Sequence, residues 1–198
     1  MQHNEPVGVL LAAGCGRRFD PTGVRNKLTQ NLSNGTTVAA QAAQNLRQVV
    51  SRVFAVVQSS ELAATFTLLG SKSLQFAGAE QGMGASMAFA VAEVVKFDPD
   101  VDSVIIALAD MPYVQLDTIR KIAAALKAGA EIVQPVFQEQ PGHPVGFSKR
   151  HFAALMALNG DIGARRLLIE FPVTQIVVND PGIVQDIDFI TDLPGYKV

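Results

Sequence analysis

Apolar residues along this chain recur in two alternating patterns. Short, nearly unbroken runs rich in Val, Ile, Leu and Ala at 7–12 (VGVLLA), 53–57 (VFAVV), 104–108 (VIIAL), 131–136 and 173–178 predict strands. Between them, segments 37–50, 60–69, 85–95, 116–127, 149–158 and 162–170 space their apolar positions as helices do. Strands without polar alternation suit a sheet covered on both faces. Their alternation with helices predicts an α/β fold with a mostly parallel central sheet flanked by helices. The polar stretch KFDPDVDS at 96–103 reads as a solvated connection between helix and strand. No internal repeat, low-complexity tract or linker appears, so the 198 residues are expected to form one domain.

Charge narrows the ligand classes. A net charge of -2 and a pI near 5.9 leave no basic footprint for a nucleic acid, so an anionic ligand has to be gripped locally. The opening residues MQHNEP carry no cationic stretch leading into a long apolar segment, and VGVLLAA is far too short to span a bilayer. A cytoplasmic protein with no membrane partner is expected. The single cysteine, Cys15, excludes an internal disulfide framework and leaves too few thiolates for a zinc site. It reads as a small loop residue.

In an open parallel sheet, ligands collect beyond the carboxyl ends of the strands. Three stretches fall there. The first is GCGRRFDPTGVRNKL at 14–28, in which Gly14 and Gly16 let the backbone approach a ligand and expose its amides, while Arg17, Arg18 and Lys27 add charge suited to a polyphosphate. No Gly-Lys-Ser/Thr closes it as a Walker A loop. Phe19 stands where GxGxxG needs its third glycine, which argues against a nicotinamide-dependent oxidoreductase. A structural turn would also use these glycines; the basic residues favour phosphate.

The second stretch, IIALADMPYV, puts Asp110 directly after an apolar strand and before Pro112. A carboxylate there, facing a phosphate loop, meets the needs of Mg2+, which takes one or two protein carboxylates and fills its other positions with phosphate oxygens and water. An aspartate before a proline also serves as a cap or turn residue. The third stretch, VQDIDFITDL, places Asp186 and Asp188 two apart, so on extended backbone they point the same way and can join Asp110 at a metal. Paired aspartates in a tail are otherwise solvated surface, but Val184, Ile187 and Ile190 beside them predict a segment packed on the body.

Two further stretches have plain structural readings beside functional ones. His143, between Gly142 and Pro144 in a tight turn, either hydrogen-bonds a ligand or fixes its own loop. GDIGARRLL at 160–168 reads as a helix start, with Asp161 able to cap it and Ala164, Leu167 and Leu168 forming its apolar face.

Taken in order, LLAAGCGRRF with NKL, GMGASMA at 82–88, LADMP at 108–112, PGHPVGFS at 141–148, GDIGARRLL and DID at 186–188 resemble nucleotidyltransferases of the molybdenum-cofactor type, the MobA-like NTP transferases. Within them the pattern is most similar to the molybdenum cofactor cytidylyltransferases, and it covers nearly the whole chain. The resemblance implies a Rossmann-like nucleotidyltransferase fold whose first loop cradles a nucleoside triphosphate. It implies that Leu11, Ala12, Ala13 and Gly14 lie against base and ribose, that Gly16 and Arg18 meet phosphate, and that Lys27 is the family lysine. Asp110 and Asp188 would hold Mg2+, Gly82, Met83, Gly84 and Ser86 would border base and sugar, and His143, Asp161 and Arg165 would face the second substrate, a pterin.

The implied reaction transfers CMP from CTP to molybdopterin cofactor. A phosphate attacks the α-phosphorus, negative charge builds, and the protein has to position and stabilise rather than supply a covalent nucleophile. Lys27, Arg18 and Asp110 are the expected catalytic residues. The acceptor phosphate is already ionised at neutral pH, so no general base is assigned. Transfer of GMP or another nucleotide to a different phosphorylated acceptor uses the same chemistry. A non-catalytic carrier delivering the cofactor to an apo molybdenum hydroxylase is the reading from a different class.

Overall fold

The computed structural model describes residues 5–14, 16, 18–20, 22 and 24–193; Cys15 and Arg17 lie outside the described residues. Strands β1 (Val7–Ala12), β2 (Val53–Val57), β3 (Lys72–Gln75) and β4 (Ser103–Leu108) alternate with helices α1 (Val38–Arg47), α2 (Ser60–Leu68) and α3 (Met83–Phe97). Helix α4 (Leu116–Lys127), strands β5 (Ile132–Phe137), β6 (Gln140–Pro141) and β7 (Val145–Ser148), helices α5 (Phe152–Met156) and α6 (Arg165–Glu170) and strand β8 (Thr174–Val177) follow.

Every residue of β1 and of β2 is buried, as expected of strands with apolar side chains on both faces. Alternation along β1 sends Leu10 and Ala12 into a core shared with Leu46, Phe66 and Ile122 of α1, α2 and α4. Val7, Val9 and Leu11 enter the opposite core with Met87, Val91, Phe152, Leu155 and Leu167 of α3, α5 and α6. Two helical layers thus cover one sheet.

The parallel part of the sheet runs β3-β2-β1-β4. Since β2 lies on one side of β1 and β4 on the other, the chain reverses its direction of travel across the sheet between β1 and β4. Loops leaving their carboxyl ends diverge there and open a crevice.

Beyond β4 the sheet departs from the expected parallel order. β7 pairs antiparallel with both β4 and β5, and β8 pairs parallel with β5. β6 and β7 are two pieces of one return arm: Val136 faces Pro141, but Val133 faces Gly146, so two extra residues bulge from that arm around Gly142, His143 and Pro144. The sequence reading made a turn of this stretch and missed the strands on either side of it. Helix α6 begins at Arg165 with Ala164 as its cap residue and no side-chain cap, so Asp161 does not cap it as expected. Gly160 and Gly163, at φ of 64° and 57°, hold the preceding residues in turns instead.

Candidate active site

The carboxyl ends of β1 and β4 lie side by side, and the N–H of Ala109 continues the ladder by donating to the carbonyl of Leu11 at 3.0 Å. From β1 the chain passes Ala13 and Gly14 into a loop anchored by buried Phe19. Asp20 shapes the middle of this loop: its carboxylate accepts hydrogen bonds from the N–H and hydroxyl of Thr22 and from the N–H of Arg25. Those bonds, the Thr22 hydroxyl foremost, hold the Asp20 carboxyl below its ordinary range. Asn26 then accepts from the N–H of Leu28, capping the short turn Lys27–Thr29. Buried Leu28 pins that turn, and Lys27 is carried inward to 8% exposure.

Lys27 is met by carboxylates from two distant parts of the chain. Its Nζ donates to Asp110 Oδ2 at 2.7 Å and to Asp188 Oδ1 at 2.8 Å, and Arg18 pairs with the other oxygen of Asp188. The tail is fastened to the loop after β4 by the N–H of Ile187, which donates to the carbonyl of Asp110 at 2.9 Å. Asp192 closes the next turn by accepting from the N–H groups of Asp188 and Phe189. Asp110, Asp186 and Asp188 each offer an oxygen within 4.8 Å of the others. This donor set of hard oxygens fits a divalent cation of the Mg2+ or Mn2+ kind.

The site's electrostatics follow from crowding. Burial alone would lower the pKa of Lys27, but the charge of Asp110 and hydrogen bonds to Asp110 and Asp188 outweigh it, and the ammonium is held above its usual value. Burial likewise pushes Asp188 up, and the bond and charge of Lys27, with Arg18, overcome it and bring the carboxyl down. For Asp186 the balance falls the other way: burial first, then the charges of Asp188 and Asp110, raise it against the weaker pull of a backbone hydrogen bond and the more distant charge of Lys27. Asp110 and Asp188 are thus paired with cationic side chains, and a bound cation would offset the charge of Asp186 as well.

The remaining candidates gather on the other side of β4. Gly82 starts α3 at φ 97°, and a Cβ there would fall 2.3 Å from Asp161 Oδ1 and 2.5 Å from the Gly160 carbonyl. Gly84 donates its N–H to that same carbonyl at 2.7 Å. The two motifs therefore pack backbone against backbone, which explains Gly82 and Gly84. Ser86 is buried and its hydroxyl donates to the carbonyl of Gly82. Beside this contact lies an apolar cavity of about 220 Å³ lined by Met83, Met87, Ile106, Phe147, Ala164 and Leu168, with His143 and Arg165 as its polar side chains. His143 Nδ1 is buried without a hydrogen-bond partner among the described residues, and burial lowers its pKa against the weaker upward pull of Asp110. Met83, assigned by the sequence to the nucleotide, and His143 and Arg165, assigned to the second substrate, thus share one cavity.

The MobA-like NTP transferase domain matches residues 8–175. The chain belongs to this family. None of the curated proteins matches the chain. Among solved structures, Rv0371c of Mycobacterium tuberculosis H37Rv is 27% identical, with a TM-score of 0.83 over 97% of this chain and 96% of that one. A complex of Rv0371c with manganese matches at 27% identity and a TM-score of 0.72, over 88% of each chain. A nucleotidyl transferase from Methanothermobacter thermautotroptrophicus shares the fold at 19% identity and a TM-score of 0.78, over 96% and 94% of the two chains. The 4-diphosphocytidyl-2C-methyl-D-erythritol synthase of Anaerococcus prevotii shares it at 13% identity and 0.68, over 96% and 93%. The chain is thus a nucleotidyltransferase of Rossmann-like fold. No helix among the described residues is long and apolar enough to cross a membrane.

Sequence reasoning singled out Lys27, Arg18, Asp110 and the tail aspartates from strand ends, spacing and motif order, and the structure brings their side chains together. It missed Asp20 and Asn26, which shape the loop. The local signal was present in both cases: short acceptor side chains two to five residues before the N–H groups they bind.

Proposed function

We propose that the chain transfers CMP from CTP to the molybdopterin cofactor and releases pyrophosphate, with Mg2+ held by Asp110 and Asp188. The observation that carries this reading is the meeting of Lys27, Arg18 and three carboxylates at the carboxyl ends of β1 and β4. The order of motifs along the sequence supports the cytidylyl and pterin assignments, and the shared fold of a synthase whose product carries a cytidyl group agrees with the first of them. The reading takes the 198 residues as one domain acting in the cytoplasm.

In this reaction an oxygen of the acceptor's terminal phosphate bonds to the α-phosphorus of CTP. The bond from that phosphorus to the bridging oxygen of the β-phosphate breaks, and pyrophosphate leaves with the electron pair. A bound divalent cation supplies positive charge to the phosphate oxygens. Lys27, kept charged though buried, turns its ammonium to the phosphates and offsets the negative charge that grows during transfer. Exposed Arg18 exchanges Asp188 for phosphate without rebuilding any packing. The amides of Gly14 and Gly16 approach the triphosphate, with Leu11, Ala12 and Ala13 forming the floor below base and ribose. Gly82, Met83, Gly84 and Ser86 border the nucleotide, and His143, Asp161 and Arg165 orient the acceptor.

The test is pyrophosphate release with Mg2+ and purified molybdopterin, offering CTP, GTP, ATP and UTP in parallel, with Asp110→Ala as control. Release with CTP alone that disappears in the variant is the expected result. Release with GTP instead reassigns the base, and silence with all four overturns the molybdopterin assignment.

A further inference from the structure

The tail that carries Asp186 and Asp188 begins at a buried acid that the proposed reaction does not use. Asp180 is 1% exposed. Its Oδ2 accepts from the N–H of Gln115 at 2.9 Å and from the hydroxyl of Thr118 at 2.6 Å, and its Oδ1 from the N–H of Gly182 at 2.9 Å. All three donors are neutral, and two belong to the start of α4. Gln115, the cap residue of that helix, makes no side-chain capping bond of its own. Asp180 serves in its place, from far along the chain, at a helix end that favours a carboxylate.

The segment that Asp180 anchors runs directly against the loop after β4. The turn Pro181–Val184 passes so close to that loop that a Cβ on Gly182 would lie 2.2 Å from the Tyr113 carbonyl oxygen. The carbonyl of Ile183 accepts from the N–H of His143, and the N–H of Ile187 donates to the carbonyl of Asp110, both at 2.9 Å. Asp180 with Gln115 and Ile187 with Asp110 therefore join the same two segments at both ends. Asp110 lies on one of these segments, and Asp186 and Asp188 on the other.

We propose that Asp180 is a positioning residue for the cation site: by tying the tail to the start of α4, it sets where Asp186 and Asp188 stand relative to Asp110. It touches neither substrate nor cation and acts through the backbone of the two segments. The inference rests on the proposed function only in reading the three carboxylates as a divalent-cation site. Partners that orient metal ligands typically alter metal affinity by about 10–100-fold when removed.

The experiment is a Mn2+ titration without nucleotide, read from the paramagnetic resonance of the free ion and paired with a melting temperature for each protein. Asp180→Ala is expected to weaken Mn2+ binding by about 10-fold or more. Thr118→Val, which removes one of the two bonds to α4, is expected to weaken it by less. Leu62→Ala, in the core beneath α2, loosens the fold away from the tail and should lower the melting temperature while leaving Mn2+ affinity unchanged.

Wild-type affinity in Asp180→Ala overturns the proposal, as does an equal loss in Leu62→Ala, since loosened packing would then suffice. Should Asp180→Ala not fold, unchanged affinity in Thr118→Val overturns it. Asp110→Ala separates the two readings. If wild type binds no Mn2+, or Asp110→Ala binds it equally well, the cation site and this proposal fall together. Loss in Asp110→Ala with retention in Asp180→Ala strikes the positioning role alone.

Discussion

Lys27 Nζ lies 2.7 Å from Asp110 Oδ2, and the same ammonium reaches Asp188 Oδ1 at 2.8 Å. One cation thus neutralises carboxylates from the loop after β4 and from the tail, in the place where a divalent ion would draw on the same oxygens. Removing it by Lys27→Met leaves the crowded acids with only Arg18 to offset them. Because the acids are partly solvated, the cost falls below that of breaking a fully buried pair and is about 1–2 kcal/mol. Mn2+ should therefore raise the melting temperature of the variant more than that of the wild type. In the proposed reaction its kcat should drop by about 10²–10³. Thermal melts with and without Mn2+, alongside pyrophosphate release, read both effects; equal Mn2+ stabilisation of the two proteins would contradict the shared position.

The two tail aspartates are expected to answer pH in opposite directions. The folded-state pKa of Asp188 is lowered, so its contribution to stability is present above the ordinary carboxylate value and is lost as pH falls through the lower folded value. That of Asp186 is raised, so it imposes a penalty that is absent below the ordinary value and complete once pH has risen through the higher folded one. At pH 7 in chelator, Asp186→Asn should melt above the wild type and Asp188→Asn below it. Both differences should shrink toward acid, as melts repeated across the carboxylate range would show. A lower melting temperature for Asp186→Asn at pH 7 would mean that its neighbours do not crowd it.

Legibility in the sequence tracks how locally each feature is determined. β1 and β2 were readable to the residue because their runs are wholly buried, and α4 because Ile119, Ile122, Ala123 and Leu126 mark one face. β3 was not, since only Leu74 of its four residues is buried and pairing with β2 makes it a strand. β7 was hidden by the Gly142, His143 and Pro144 bulge; contacts with β4 and β5 create it. The site divides in the same way. Lys27, Asp110 and Asp188 were visible as motifs, but their mutual contact spans 83 and 161 residues of chain and follows from topology alone. Asp180 carried no signal, because an aspartate before a proline looks like any turn residue until α4 is placed beside it.

Gly82 shows what the packing of the two glycine motifs demands. An alanine there must adopt φ near 97° and place its Cβ 2.3 Å from Asp161 Oδ1 and 2.5 Å from backbone atoms of Gly160. The side chain of Asp161 can swing aside, but the backbone cannot. Strain of this kind costs about 1–3 kcal/mol, which for a chain of this size corresponds to a fall of about 2–4 °C in melting temperature per kcal/mol. Gly129→Ala is a useful comparison: it has a similar φ of 98° with open space around the Cβ, so it carries the strain without the clash. Gly82→Ala should melt below Gly129→Ala; equal melting temperatures would show that the contact with Gly160 yields freely.

The cavity beside His143 decides which reactant it serves through a substitution that fills it. Ala164 lines the space and is half-buried, so Ala164→Phe extends a ring into about 220 Å³ without touching Lys27 or the carboxylates. If the cavity receives the acceptor, the KM for molybdopterin should rise by about 10-fold or more, since excluding even one or two buried groups is worth about 1–3 kcal/mol. The KM for CTP and the affinity for Mn2+ should stay as in the wild type. A rise confined to CTP would instead assign the cavity to the base. Met83 would then be its nucleotide contact, and His143, whose buried Nδ1 has no hydrogen-bond partner among the described residues, would belong to recognition of the base rather than of the pterin.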